Sequence, residues 1–149
     1  MTTMTMHIDA PVEKVFPFFK DPKALADISV METEYFDVKE TRQGTGTFFS
    51  WRSKIAGIPF EGFEVYTDVV PNKHITEKSS RAMMGTWDYD FEPEDKGTKV
   101  TMRHHPRSFW RLPPVSYLMG LVQSRMMASF APQVKERIES SGTKGRKAA

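Results

Sequence analysis

The sequence predicts an α+β domain in which a curved antiparallel sheet meets one long C-terminal helix. Three observations carry that expectation. Between Val30 and His105 the apolar residues recur with period two and are punctuated by turn residues. Val115, Leu118, Val122, Met126, Phe130, Val134 and Ile138 then recur at intervals of three and four, the stripe of an amphipathic helix. Nothing in the 149 residues reads as a linker between two cores.

Met4, Met6 and Ile8 alternate with Thr5 and His7 as an opening strand. Asp9-Ala10-Pro11 reads as a helix start, with Asp9 the candidate cap and the proline in a first turn, where its missing N–H costs nothing. Val12, Val15, Phe16 and Phe19 follow at helical spacing. Asp21-Pro22 breaks that helix, and Asp21 caps a second short one through Leu25 to Ile28. Strands are then expected at Val30–Thr41, Thr47–Ile55, Phe60–Val70, Lys73–Ser80, Thr86–Glu92 and Thr98–His105. Gln43–Gly46, Ala56-Gly57, Pro71-Asn72 and Pro93–Gly97 supply the turns between most of them. Connections that short imply a largely antiparallel meander, about six to seven strands with the opening one.

After Pro113-Pro114 the long helix is expected from Val115 to about Ser140, roughly 36 Å and enough to cross the sheet. Pro132 predicts a kink near Ala128 to Ser129, and Ser141-Gly142 an end. The domain therefore spans residues 1–140, and residues 141–149, carrying Lys144, Arg146 and Lys147, read as a flexible basic tail.

Composition narrows the function. The chain has no cysteine, which excludes disulfides, thiolate metal sites and cysteine nucleophiles together. Met1 to Asp9 lacks the basic flank and apolar run of a signal peptide, and no window approaches the ~20 apolar residues of a membrane span. A soluble, cytoplasmic protein is expected, as a monomer or weak homodimer. Net charge is only +2, and the aromatics lie on apolar faces, so a nucleic-acid surface is not expected. His104-His105 are adjacent on a strand and point to opposite faces, so they cannot chelate one metal ion together. Gly44-Thr45-Gly46 lacks the lysine and helix of a phosphate loop. Neither metal nor cofactor is expected.

Alternation sorts the strand residues by face. Trp87, Tyr89 and Phe91 oppose Thr86, Asp88, Asp90 and Glu92; Thr98, Val100, Met102 and His104 oppose Lys99, Thr101, Arg103 and His105. A slip of one residue would bury the acids and expose the aromatics, which fixes the register. Phe63, Val65, Thr67 and Val69 are set against Glu64, Tyr66 and Asp68 in the same way.

Several segments resemble one superfamily. Ile8-Asp9-Ala10-Pro11-Val12-Glu13-Lys14-Val15-Phe16 is similar to the opening strand-to-helix segment of START/Bet v 1-like (SRPBCC) proteins, particularly the polyketide cyclase/dehydrase-like branch. Gly44-Thr45-Gly46-Thr47, Trp87 to Pro93 and Gly97 to Thr101 resemble its strand and hairpin segments, and the likeness runs from about Thr3 to Glu139. The resemblance implies a helix-grip fold, with two short helices after the first strand and a cavity between sheet and terminal helix.

That cavity is expected to hold a small hydrophobic ligand such as a lipid, polyketide or aromatic metabolite. Its walls would be Phe49, Trp51, Phe63 and Val65 on two strands, and Trp87, Tyr89, Phe91 and Met102 on two more. Leu118, Val122, Met126 and Phe130 would face them from the helix. The same aromatics serve equally as a packed core, each stabilising the fold by roughly 1.5–3 kcal/mol on burial. His104 and Glu77, with Tyr89 as hydrogen-bond donor, are the candidate catalytic groups of a cofactor-independent cyclase or dehydratase. The competing reading is a histidine satisfied at the sheet end. Carriage is favoured over catalysis, and a chaperone-cofactor-like interaction module is the third alternative. Phe109, Trp110 and Leu112, flanked by Arg107 and Arg111, read either as a lip touching a membrane surface transiently or as a loop folded back on the domain.

Overall fold

The computed structural model describes residues 1–28, 33–55, 58–80, 85–106 and 113–144. Along the chain these form β1 (Thr2–Ile8), α1 (Val12–Lys20), α2 (Pro22–Ala26), β2 (Thr33–Lys39), β3 (Phe48–Ile55), β4 (Ile58–Val70), β5 (His74–Ser79), β6 (Thr86–Glu94), β7 (Gly97–His105) and α3 (Pro113–Lys144). The strands make one antiparallel sheet in the order β1-β7-β6-β5-β4-β3-β2. The curved sheet wraps α3, the helix-grip arrangement.

Local chemistry explains the joints. Asp21 Oδ1 accepts the Lys23 N–H at 2.9 Å and Pro22 follows it, so α2 starts as expected. The start of α1 differs. Pro11 occupies the cap position without a side-chain bond, and the Asp9 N–H donates to Glu139 Oε1 at 3.0 Å, tying the end of β1 to α3. Gly97 admits a close crossing: a Cβ there would stand 2.2 Å from the Ile8 carbonyl oxygen, so only glycine lets β1 close against β7. Gly44 turns the β2–β3 connection at φ +96° and packs under Val69.

Several boundaries depart from the sequence reading, among them the starts of β1 at Thr2 and of β4 at Ile58. β6 and β7 run to Glu94 and from Gly97, so Pro93 lies inside a strand and the turn is shorter. β2 is shorter than Val30–Thr41, and Val30 falls outside the described residues. Its pairing with β3 shifts between Phe36 and Lys39, where Asp37 takes φ 50°. α3 is 32 residues long, about 48 Å, and continues through Gly142 to Lys144. The Ala56-Gly57 turn and residues 145–149 of the tail fall outside the described residues.

The core lies between the sheet's inner face and the helices. Phe16 and Phe19 on α1 meet Phe91 edge-on at 5.2 and 5.4 Å between ring centroids. Phe19 also touches Tyr89 at 5.8 Å and Phe130 of α3 at 6.5 Å, so one buried ring joins α1, β6 and α3. Val134 and Ile138 complete the buried face of the last turns of α3. The outer face is polar. His74 bonds Asp90 at 2.7 Å, Arg103 pairs with Asp90, and His105 lies 3.2 Å from Asp88, a solvent-side network across β5, β6 and β7.

Candidate functional site: a buried carboxyl pair

The inward face of β3, β4 and β5 carries charge where apolar residues would suffice. β3 presents Phe49, Trp51 and Ser53, β4 presents Glu64 and Tyr66, and β5 presents Ile75, Glu77 and Ser79, all buried. Pairing places Glu64 opposite Ser79 and Tyr66 opposite Glu77. Residues directly opposite share a face, so the two glutamates are diagonal neighbours in the interior.

Their surroundings set their protonation. Burial, the charge of Glu77 and a hydrogen bond with it together hold the Glu64 carboxyl well above the usual range. Burial pushes Glu77 up to about 6, opposed by hydrogen bonds from Glu64 and Tyr89. Those opposite signs describe one arrangement, with Glu64 keeping a proton and donating it toward an ionised Glu77. The Tyr89 hydroxyl lies 3.5 Å from Glu77 Oε2 and donates to it. Burial and the neighbouring carboxyls raise Tyr35, Tyr66 and Tyr89 well above the ordinary phenol value, so all three stay neutral donors. The Tyr66 hydroxyl donates to the Phe19 carbonyl at 3.4 Å. Trp51 favours the ionised form of Glu64, yet its indole N–H does not reach hydrogen-bond geometry with any described group. Ser79 Oγ is likewise buried without a hydrogen-bond partner among the described residues.

His104 and Glu77 both face inward, on strands separated by β6. Trp87 pairs with His104 on one side and with Glu77 on the other, so the indole stands between them. Two strand spacings put their backbones roughly 10 Å apart. His104 stacks on Trp87, with ring centroids 4.3 Å apart and planes inclined 24°. The groups that gather round Glu77 are Glu64, Tyr66 and Tyr89.

Phe49, Trp51, Tyr89, Phe91 and Met102 face inward and are buried, with Trp87 and Phe130 packed against them. Phe63 and Val65 correct the sequence reading. Phe63 is 46% exposed and pairs with Phe48 at 5.3 Å on the outer face, and Val65 shares that side. The cause is the β3–β4 hairpin, which pairs Phe49 with Glu64 and Trp51 with Gly62. A register shift between Tyr66 and Asp68 then returns Val69 to the inside. Leu118, Val122 and Met126 belong to α3, but their side chains fall outside the described residues, as do Phe109, Trp110 and Leu112. Among the described residues no group of three or more His, Asp or Glu is placed to hold a metal ion.

A sheet gripping a long helix, with acids and phenols enclosed between, defines a helix-grip protein with a polar interior. The comparisons agree on the class. The chain belongs to the polyketide cyclase/dehydrase and lipid transport family, whose model matches residues 2–139. No curated protein matches it. Among solved structures it resembles protein Ms6760 of Mycobacterium smegmatis, with a TM-score of 0.69 and 15% identity over 93% of this chain and 90% of that one. TTHA0849 of Thermus thermophilus is similar with a TM-score of 0.69 and 20% identity, covering 94% and 97%. The di-domain ARO/CYC protein StfQ of the steffimycin biosynthetic pathway gives 0.70 and 14% over 95% of this chain and 51% of its own. At these identities the likeness speaks for the fold.

Proposed function

We propose that the chain binds and carries a small, mostly apolar molecule between the inward sheet face and α3, with the molecule's polar end at the Glu64–Glu77–Tyr89 cluster. The observation that carries this reading is the pair of buried carboxyls. Burying an ionisable group without a full set of partners is costly, and a core that only had to pack would gain by replacing both with apolar residues. Groups of this kind, set in an aromatic wall, are the means by which pockets orient a ligand. Family membership supports the same reading. Native mass spectrometry of protein purified from its own host, followed by solvent extraction, tests it. A bound mass that is released on denaturation is expected; apo protein that also takes up nothing from a panel of lipids and aromatic metabolites refutes it.

The contact between Tyr89 and Glu77 favours a second reading, an enzyme of cyclase or dehydratase type. Glu77, pushed up to about 6, would accept a proton from the carbon next to a substrate carbonyl while Tyr89 donates a hydrogen bond to the enolate oxygen. Glu77→Gln and His104→Gln separate the readings once a ligand is in hand. Retained affinity with lost turnover in Glu77→Gln marks an enzyme with a carboxylate base, and the same result in His104→Gln alone moves the base to the histidine.

A further inference from the structure

We propose that the ligand's polar end is a protonated amine, held by the Glu64 and Glu77 carboxyls with Ser79 Oγ as a third acceptor; this rests on the ligand-binding reading above. The acids alone would not carry it. The independent observation is Ser79, only 3% exposed, directly opposite Glu64 and two residues from Glu77 on the same face, with its hydroxyl unmet among the described residues. Three acceptors in one patch match the three N–H donors of a primary ammonium.

The charge balance points the same way. The buried polar residues include Glu64, Glu77 and His104 but neither lysine nor arginine among those described. The two acids act on Tyr66 of β4, Tyr89 of β6 and Tyr35 of β2, raising each, and His104 of β7 shares the inward face. All three phenols are neutral, and with no buried lysine or arginine among the described residues an ammonium is the cation that would sit beside the ionised Glu77. The tyrosine and tryptophan rings around it offer negative faces to the same charge. A carboxylate or phosphate ligand would meet like charge, and a plain alcohol would leave the acids as they are.

Calorimetry with three compounds of one shape, 4-phenylbutylamine, 4-phenylbutanol and 4-phenylbutyrate, tests the inference on wild type, Glu77→Gln and Glu64→Gln. The amine is expected to bind at least about tenfold more tightly than the alcohol, and the butyrate most weakly. Glu77→Gln should bring amine and alcohol within about twofold, with a cooperative urea transition showing that the variant is folded. The amine should shift the Trp51 indole N–H resonance. An alcohol or butyrate that binds as tightly as the amine overturns the proposal and leaves the ligand-binding reading standing. So does an amine preference that persists in both variants, because the site would then lie elsewhere. If none of the three binds, the native cargo decides: a basic nitrogen in it supports the proposal, its absence overturns it, and an empty protein removes both readings.

Discussion

Stability should fall as pH rises from acid to neutral, and Glu77 should cause a measurable share of the fall. Its folded pKa stands at about 6 against 4.5 for the free side chain, because burial disfavours the charged form. A raised pKa means the folded state holds its proton more tightly than the unfolded state does. The stabilisation is therefore complete below 4.5 and disappears as pH climbs through 6. The difference corresponds to about 2 kcal/mol. Glu64, also raised, extends the decline to higher pH. Urea unfolding of wild type and Glu77→Gln at half-unit steps from pH 4 to 8 measures it. The variant should gain about 2 kcal/mol relative to wild type between the ends of that range. Removing the charge at position 77 also relieves Glu64, whose own pKa should drop toward a value set by burial. Parallel curves for the two proteins, or a wild type that gains on the variant as pH rises, would refute the assignment.

Other expectations concern the frame that holds the cluster. Gly97→Ala should destabilise by about 2–3 kcal/mol, read as a lowered thermal midpoint, because its Cβ would collide with the Ile8 carbonyl at 2.2 Å. Asp21→Ala should cost about 1 kcal/mol in urea unfolding through loss of the Lys23 N–H bond that opens α2. Phe49→Ala should cost about 3–5 kcal/mol and Phe63→Thr less than about 1, although both are strand phenylalanines, since only the first is buried. Equal losses for those two would contradict the β3–β4 register. Tyr66→Phe should cost about 1 kcal/mol through its bond to the Phe19 carbonyl.

Much of the architecture is legible in the sequence because single-residue alternation is unforgiving. On β6 and β7 only one register buries Tyr89, Phe91, Val100 and Met102, and the structure has it. β4 is harder. Its two faces, Phe63-Val65-Thr67-Val69 and Glu64-Tyr66-Asp68, differ by a simple count of apolar residues, and that count points the wrong way. Two features of the sequence hold the answer together. Phe49 and Trp51 read as inward, and Ala56-Gly57 reads as a tight turn. Counting back from the Ile55–Ile58 pair that such a turn creates sets Phe49 against Glu64, which carries the acid inside. The shift after Tyr66 leaves no such trace, so alternation groups the buried Val69 with residues of the opposite face. His104 and Glu77 do turn inward as alternation predicts, but alternation fixes a face and not a neighbour across the sheet. Only the strand order interposes Trp87.

The order of the strands has a consequence for how the chain is made. β1 finds its partner in β7, with Ile8 against Thr98, so β1 leaves the ribosome with no neighbour to pair with until about 90 further residues have followed. The middle hairpins can assemble meanwhile, each from adjacent sequence. Met4, Met6 and Ile8 wait exposed through that interval, and the alternating threonine and histidine between them keep the idle segment from being a continuous greasy run that would invite intermolecular pairing.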